Sequence, residues 1–318
     1  MDSRKKVLVT GAAGFTGWHA CHHLLESGYE VAGTVRKKTA ASAGWELVEC
    51  DLTDVEQTDQ MISLVKPDLV LHLAGRNSVP DSWKDPAGYL KANVIGTANL
   101  LASVQRTNPA CRTLITGSSL ETAASGGGPA HPYGLSKALQ TMTAKAWQSL
   151  FEQNTMLVQP ANLIGPGPSR GVLSVLASKV ARIEAGMAEG GLQISNSQES
   201  RDFLDVRDAV KAYRLILEQG MPGAAYELGS GVPHTLLEVC KELRKHSHTA
   251  FEIEDLGQQP SADSRRGKTG LPDWQQELGW EPSFAFSQSV SDILQYHREL
   301  LVKEKEHGTG SFHNHSIL

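Results

Sequence analysis

The sequence of 318 residues lacks the features that mark secreted, membrane and metal-binding proteins. Its four cysteines, Cys21, Cys50, Cys111 and Cys240, lie far apart without a C-x-x-C pair, so neither a disulfide framework nor a zinc knuckle is indicated. No apolar run approaches the ~20 residues that a membrane helix needs. The charged N-terminus is followed by only a short apolar stretch, unlike a signal peptide. These absences predict a cytoplasmic protein with no membrane partner.

Positive charge is not in excess either. The chain has 30 Lys and Arg against 35 Asp and Glu, and a formal net charge of −5. Proteins that bind nucleic acid neutralise phosphates with large basic surfaces, so we expect no nucleic-acid partner. A hydrophobic content of 40% with 20% charged residues is ordinary for a globular protein. The length exceeds one typical domain and predicts a large α/β unit with a smaller lobe.

The N-terminal stretch predicts a strand, a phosphate-binding turn and a helix. The apolar run from Val7 to Thr10 is followed by three glycines, at positions 11, 14 and 17, and a helical pattern begins at Trp18. Gly11 permits a tight turn, Gly14 permits close approach of a pyrophosphate, and Gly17 permits close packing of the helix on the strand. The N-terminus of the helix would then hold the anion. The alternative is a purely structural glycine turn.

The end of the next predicted strand indicates which dinucleotide is bound. In a dinucleotide-binding fold, an acid after the strand from Tyr29 to Val35 would bind the ribose 2′-hydroxyl of NAD. Here the chain reads Arg36-Lys37-Lys38. Three cations match a 2′-phosphate, so NADP is favoured over NAD, with a solvated basic turn as the alternative. The histidines of the first predicted helix are not interpreted as ligands, so no metal site is predicted.

Strand and helix patterns alternate through the first half of the chain. This spacing predicts an α/β fold, a Rossmann-type doubly wound parallel sheet with right-handed crossovers, and a smaller C-terminal α/β substrate lobe. The ligand crevice of such a sheet lies at the carboxyl ends of its strands. Those ends are expected at Gly11, Arg36, Asp51, Gly75 and Ser118.

A second constellation follows the strand from Thr113 to Thr116. Ser118 and Ser119 come directly after it, and Tyr133 and Lys137 lie four residues apart, on one face of a predicted helix. An ammonium group beside the phenol is expected to lower its pKa towards a working range for acid–base chemistry. A serine hydroxyl could hold a substrate carbonyl against the phenol. A surface Tyr and Lys that merely share a helix face are the alternative.

These residues resemble the extended short-chain dehydrogenase/reductases, which belong to the NAD-dependent epimerase/dehydratase family. The resemblance extends to about Glu299, and within the family it is greatest to the GDP-6-deoxy-4-keto-mannose reductases. The stretches that carry it are His72-Leu73-Ala74-Gly75-Arg76-Asn77-Ser78-Val79, Asp81-Ser82-Trp83, Asn93-Val94-Ile95-Gly96-Thr97, Asn162-Leu163-Ile164-Gly165-Pro166-Gly167 and Ser200-Arg201-Asp202-Phe203-Leu204-Asp205-Val206-Arg207-Asp208.

The resemblance implies a role for each matching residue. Ser119, Tyr133 and Lys137 would be catalytic, with Ser118 as the runner-up for the serine. The residues implied in cofactor binding are Gly11, Gly14, Phe15, Thr16, Gly17, Arg36, Asp51, Leu52, Leu73, Ala74, Asn93, Tyr133 and Lys137. The residues implied in substrate binding are Ser78, Ser119, Asn162, Arg201 and Arg266. A homodimer through the helices that hold Asn93 and Tyr133 is also implied.

The sequence departs from the family at three places. The loop after Ser119 lacks the usual acidic and aromatic opening. Leu120 replaces the first member of the acid pair that dehydratases use, so only Glu121 remains and elimination is disfavoured. Gln259 stands where the family often has an arginine for the diphosphate, which leaves Arg265 or Arg266 for that role.

Together, these observations predict an NAD(P)H-dependent reductase of the C4 keto group of a nucleotide-activated 6-deoxy-4-keto-hexose. The alternatives are an NDP-sugar 4-epimerase, then a 4,6-dehydratase or a non-catalytic NADP-binding protein. Residues 1–164 are predicted to form the NAD(P)-binding domain, to which residues 203–228 return. Residues 165–302 are predicted to form the sugar-nucleotide lobe, and residues 303–318 a disordered tail.

Overall fold

A computed structural model of the chain describes residues 4–37, 44–121, 128–257 and 270–306. The strands are β1 (Lys6–Thr10), β2 (Glu30–Val35), β3 (Glu46–Glu49), β4 (Leu69–His72), β5 (Arg112–Thr116), β6 (Thr155–Pro160), β7 (Asn162–Ile164), β8 (Leu192–Ile194), β9 (Ser200–Asp205), β10 (Ala225–Leu228), β11 (Pro233–Thr235) and β12 (Ile253–Asp255). The helices are α1 (Phe15–Glu26), α2 (Val55–Val65), α3 (Val79–Lys84), α4 (Pro86–Leu90), α5 (Gly96–Thr107), α6 (Pro132–Phe151), α7 (Val172–Glu184), α8 (Val206–Gln219), α9 (Leu236–His246), α10 (Asp273–Glu277) and α11 (Phe286–Glu306). A π-helical turn (Lys91–Ile95) lies between α4 and α5.

The described residues divide into two compact units. The first comprises the described residues within Met1–Pro160, Ala209–Leu228 and Pro272–Trp280, and the second comprises those within Ala161–Asp208, Gly229–Leu271 and Glu281–Leu318. The last segment of the first unit was assigned to the smaller lobe in the sequence analysis. It joins the first unit because Trp274 donates from Nε1 to the carbonyl oxygen of Glu227 at 2.8 Å and packs edge-on against Tyr226.

The first unit is built on a seven-stranded sheet with the strand order β3-β2-β1-β4-β5-β6-β10. All six pairings are parallel. The chain reverses its direction of winding between β1 and β4, which makes the sheet doubly wound, as predicted. Every residue of β4 is buried, which explains its continuous apolar composition. The switch point places the carboxyl ends of β1 and β4 side by side, where such sheets bind ligands.

Helix α2 shows how the first unit's core is closed. Asp54 caps the helix by accepting hydrogen bonds from the backbone N–H groups of Glu56 and Gln57. This fixes the helix start, and the buried face then presents Met61 and Ile62 to a core that includes Leu8 of β1. None of the described helices combines the length and apolar character needed to cross a bilayer.

The second unit contains a three-stranded sheet, β11-β9-β7, and a two-stranded sheet, β12-β8. Its core is formed by α7, α9 and α11 together with buried residues of β7, β8 and β9. Thr235 and Glu238 form a reciprocal capping box at the start of α9, which satisfies two backbone donors at once. The prediction of a disordered tail over residues 303–318 is wrong for residues 303–306, because α11 continues through them. Leu301 is buried against the core and extends the packing of the helix. Residues 307–318 lie outside the described part.

Candidate active site

The turn after β1 needs glycine for two separate reasons. Gly11 has a φ of +72°, in the left-handed region that side chains avoid. A Cβ atom on Gly17 would overlap the carbonyl oxygen of Gly11 and lie 2.8 Å from its carbonyl carbon. Helix α1 therefore starts directly against the strand end, at Phe15, with Gly14 at its N-cap.

This helix N-terminus suits an anionic group. No described side chain caps it, and its first turn carries no acidic residue, so the first backbone N–H groups of α1 are left to bind an anion. Phe15 and Thr16 are half-buried beside it. The turn fits the pyrophosphate of a dinucleotide, and these residues would hold it.

The neighbouring strand ends carry the other predicted cofactor residues. Arg36 and Lys37 directly follow β2 and are exposed; Lys38 is outside the described residues. Asp51 Oδ1 accepts hydrogen bonds from the backbone N–H and the hydroxyl of Thr53, both at 2.9 Å. Leu52 is buried. Asp51 thus stabilises the loop that follows β3.

A buried threonine and a buried histidine lie behind the glycine turn. Thr10 Oγ1 accepts hydrogen bonds from the backbone N–H groups of Leu73 and Ala74, both at 3.1 Å. It also contacts His72 Nδ1 at 2.7 Å. This network fixes the exit of β4 relative to the end of β1. Leu73 and Ala74, two of the predicted cofactor residues, are thereby held at the switch point.

Helix α6 presents the predicted catalytic pair. His131 caps the helix by accepting a hydrogen bond on Nδ1 from Gly134 N at 2.8 Å, and its ring stacks on Tyr133 at 5.8 Å. Tyr133 and Lys137 are each 7% exposed, one turn apart on the helix. They are therefore buried together rather than lying on an open helix face.

The predicted lowering of the phenol's pKa by Lys137 is wrong for this arrangement. Burial raises the pKa of Tyr133 to about 12, the side chain of Ser118 opposes the shift, and the charge of Glu121 adds to it. The ammonium group of Lys137 donates instead to the carbonyl oxygen of Thr116 and to Gln140 Oε1, each at 2.8 Å. Burial also lowers the pKa of Lys137 to about 8, against the charge of Glu121.

Of the two adjacent serines, Ser118 is the one that affects the phenol. Ser118 is buried, its side chain acts to lower the pKa of Tyr133, and it accepts a hydrogen bond from Leu120 N at 3.1 Å. Ser119, the serine predicted to be catalytic, is exposed. The turn after β5 directs alternate side chains inward and outward, and the motif alone does not reveal which serine faces the tyrosine.

Glu121 is a buried carboxylate, 6% exposed. Its Oε1 accepts hydrogen bonds from Ser118 N at 2.8 Å and from the Thr141 hydroxyl at 2.9 Å. Its Oε2 accepts one from Gln159 Nε2 at 2.9 Å. Both oxygens are engaged by the protein, which ties the loop after β5 to α6 and β6.

Asn93 lies in the π-helical turn and is fully buried. Its Oδ1 accepts from Arg76 N at 2.7 Å, and its Nδ2 donates to Arg76 O at 3.0 Å and to Ser136 Oγ at 2.8 Å. The amide that the sequence analysis assigned to the cofactor therefore joins the exit of β4 to α6.

The predicted substrate residues are distributed over both units. Ser78, in the first unit, caps α3 by accepting a hydrogen bond from Asp81 N at 3.2 Å. In the second unit, Asn162 Nδ2 donates to the carbonyl oxygen of Asp202 at 3.0 Å, beside Arg201. The guanidinium of Arg201 pairs with Glu199 at 2.9 Å. Arg266 and Arg265 lie outside the described residues.

Histidines near the glycine turn pack against aromatic rings. The ring of His22 lies 4.1 Å from that of Trp18 and 4.8 Å from that of Trp45. Within the described ranges, no group of three or more His, Cys, Asp or Glu side chains is placed to hold a metal ion.

Sequence reasoning missed Gln140 and His131, although both leave a signal. A histidine directly before Pro132 is a helix start, since proline favours the first helical position. Gln140 follows Lys137 by three residues, on the same helix face, and is completely buried. A polar side chain on a buried face predicts a specific partner.

A doubly wound sheet, a glycine turn at its switch point and a buried Tyr-x-x-x-Lys pair define an NAD(P)-dependent enzyme of the extended short-chain dehydrogenase/reductase class. The chain belongs to the NAD dependent epimerase/dehydratase family, whose model matches residues 7–229. The family, the fold and the dependence on NAD(P) are thus confirmed.

Relatives with known functions span nearly the whole chain. It is 29% identical over 306 residues to the GDP-6-deoxy-D-mannose reductase of Pseudomonas aeruginosa, covering 91% of this chain and 96% of that protein. It is 26% identical over 323 residues to the UDP-glucose 4-epimerase of Mycolicibacterium smegmatis, covering 92% and 98%. The solved structure of RMD from Pseudomonas aeruginosa complexed with NADPH has a TM-score of 0.79 at 27% identity, covering 93% and 100%.

Proposed function

We propose that the protein is an NADPH-dependent reductase of the C4 keto group of a nucleotide-linked 6-deoxy-4-keto-hexose. The observation that carries the proposal is the buried Tyr133 phenol, with Ser118 acting on its pKa and Lys137 one turn away on the same helix. The similarity to a GDP-6-deoxy-D-mannose reductase supports this substrate class.

The buried phenol carries the proton that the reduction needs. A pKa raised to about 12 by burial keeps the proton on Tyr133 Oη at neutral pH. When bound, the reduced nicotinamide supplies a hydride to C4. Tyr133 then gives its proton to the carbonyl oxygen, which becomes the new hydroxyl. Ser118 orients the carbonyl, with Ser119 as the alternative.

An NDP-sugar 4-epimerase is the alternative, and it would use the same tyrosine and lysine, so the cofactor is what separates the two functions. Arg36 and Lys37 favour the 2′-phosphate of NADP over NAD, and the relative RMD was solved with NADPH.

Dehydration is disfavoured by the surroundings of Glu121. Elimination needs a positioned acid to protonate the leaving hydroxyl. Leu120 carries no such group, and both carboxylate oxygens of Glu121 accept hydrogen bonds from the protein. Glu121 therefore acts as an anchor for the loop in this proposal.

The proposal includes a cytoplasmic homodimer. Leu135 and Met142 of α6 are 41% and 65% exposed and lie seven residues apart, on one face of the helix. Large apolar side chains grouped on a helix face are typical of an interface. Multi-angle light scattering would show twice the mass of the chain for a dimer.

The test is the loss of NADPH absorbance with freshly prepared NDP-6-deoxy-4-keto-hexoses that carry guanosine, uridine, thymidine or cytidine. Oxidation with one nucleotide would identify the substrate class. Co-purified NAD with interconversion of NDP-hexoses would instead indicate an epimerase. NADPH binding without turnover of any member would indicate a non-catalytic binding protein.

Tyr133→Phe isolates the proposed acid. The variant keeps the ring but has no proton to donate, so we expect turnover to fall at least about 100-fold while the NADPH Kd stays unchanged. Tyr296→Phe, on α11 of the second unit, is the matched control and should keep full turnover. Wild-type turnover by Tyr133→Phe would remove Tyr133 from the mechanism.

A further inference from the structure

A chain of hydrogen bonds runs through the first unit from the glycine turn to Lys137. Thr10 Oγ1 lies 2.7 Å from His72 Nδ1, and His72 Nε2 lies 2.8 Å from Thr97 Oγ1. Gln140 Nε2 donates to Thr97 Oγ1 at 2.8 Å, and Lys137 Nζ donates to Gln140 Oε1 at 2.8 Å. Four of the five side chains are at most 1% exposed, and Lys137 is 7% exposed.

The direction of every bond in this chain is determined by its neighbours. Thr10 Oγ1 accepts from two backbone N–H groups, so its own hydrogen goes to His72 Nδ1. Burial lowers the pKa of His72 to about 3, so the ring is neutral and carries its single proton on Nε2. Thr97 donates its hydroxyl hydrogen to the carbonyl oxygen of Asn93 at 2.7 Å, and it therefore accepts from both His72 and Gln140.

The orientation of the Gln140 amide follows from this direction. Its NH₂ group must face Thr97, which has no hydrogen left to give, and its oxygen must face the ammonium group of Lys137. A reversed amide would set a donor against a donor at Lys137 and an acceptor against an acceptor at Thr97. Both mismatches would be buried, where each unsatisfied group costs about 1–3 kcal/mol.

The ammonium group has three hydrogens to donate. Two of them go to the carbonyl oxygen of Thr116 and to Gln140, so the fold fixes the direction of the third. The charged and titratable groups that interact with Lys137 are Glu121, after β5, and His72, on β4.

We propose that Gln140 is a positioning residue for Lys137, and that the oriented chain formed by Gln140, Thr97 and His72 directs the ammonium group. Gln140 does not touch substrate or cofactor in this role; it acts through Lys137. The effect of Gln140 on turnover rests on the proposed function, whereas its hydrogen bond to Lys137 does not.

The experiment measures the titration of Lys137 directly, without any substrate. In protein labelled with ¹³C at lysine Cε, the resonance that titrates near pH 8 is assigned to Lys137 by its loss in Lys137→Met. Gln140→Met removes a fixed acceptor and should lower the midpoint by about one pH unit. Gln140→Glu places a carboxylate there and should raise it by about one pH unit or more.

The control is Gln153→Met, because Gln153 is also buried and its amide has no hydrogen-bond partner among the described residues. It should leave the midpoint unchanged. Opposite shifts in the two Gln140 variants cannot come from a general loosening of the core, which would move both in one direction. Unchanged midpoints, or shifts in the same direction, would overturn the proposal.

Circular dichroism establishes that each variant is folded. If Gln140→Met fails to fold, the isosteric Gln140→Glu decides the question alone by raising the midpoint or leaving it in place. Where NADPH oxidation is found, the alkaline limb of its pH profile should move with the same sign. If no sugar is reduced, the proposed function fails while the titration still tests the role of Gln140.

Discussion

Gly17→Ala should destabilise the first unit by about 3 kcal/mol. The added methyl group would overlap the carbonyl oxygen of Gly11 and lie 2.9 Å from Cα of Ala12. Overfilling a packed site costs about 1–3 kcal/mol. We expect the upper end of that range because the obstructing atoms are backbone, in a turn held at a φ of +72°, and cannot rotate away.

Gly14→Ala is the matched control, three residues earlier. Its φ of −76° and ψ of 166° suit alanine, and its Cβ would lie 3.2 Å from the same carbonyl oxygen. This contact requires only a small adjustment, so the cost should stay below about 1 kcal/mol. NADPH binding should nevertheless weaken, because the methyl group would stand where the pyrophosphate approaches the turn.

Urea unfolding followed by circular dichroism gives the free energies of unfolding, and NADPH fluorescence gives the Kd. The two variants should differ in their effects. Gly17→Ala should lose stability, whereas Gly14→Ala should lose affinity for NADPH at nearly normal stability. Equal destabilisation in both variants, or a fully stable Gly17→Ala, would refute the assignment of separate roles to the two glycines.

Two further predictions concern single charged groups. Arg36→Ala should raise the NADPH Kd about tenfold, the cost of one charged hydrogen bond, and leave the NADH Kd unchanged. An equal effect on both cofactors would exclude a contact between Arg36 and the 2′-phosphate. Lys84→Ala, which removes another exposed cation, is the control. In the second unit, burial favours protonation of Glu184, but hydrogen bonds from Arg298, His248 N and Ser247 outweigh it and lower the pKa of the carboxyl to about 2. The stability that the ionised Glu184 contributes is present above pH 4.5 and is lost as the pH falls towards 2. In Glu184→Gln, Tm should therefore fall less steeply than in the wild type between pH 4.5 and pH 2. A fall as steep as that of the wild type would contradict this prediction.

Local patterns predicted the elements of the first unit well. The strand before Gly11 and the spacing of Tyr133 and Lys137 are properties of a few adjacent residues, and they follow from steric and periodic rules alone. The same holds for the doubly wound sheet, since alternating strands and helices leave few possible topologies.

The parts that escaped prediction depend on distant contacts or on environment. The role of Gln140 depends on its hydrogen bond with Thr97, 43 residues earlier in the chain. Local sequence patterns do not reveal hydrogen bonds between residues so far apart. The raised pKa of Tyr133 comes mainly from burial, whereas the motif suggested only the neighbouring lysine. The choice between Ser118 and Ser119 is set by the path of one turn, and a shift of one residue exchanges their directions.

The π-helical turn at Lys91–Ile95 makes the length of this segment indispensable. Each residue of an α-helix advances the chain by about 100° around its axis, and a π turn holds one residue more than the α-helix it interrupts. Removing any one of these five residues would give an unbroken helix and rotate Asn93 away from Arg76 or Thr97 away from His72. Substitutions at the exposed Ile95 should therefore be tolerated in a library of variants, while single-residue deletions anywhere between Leu90 and Gly96 should be depleted.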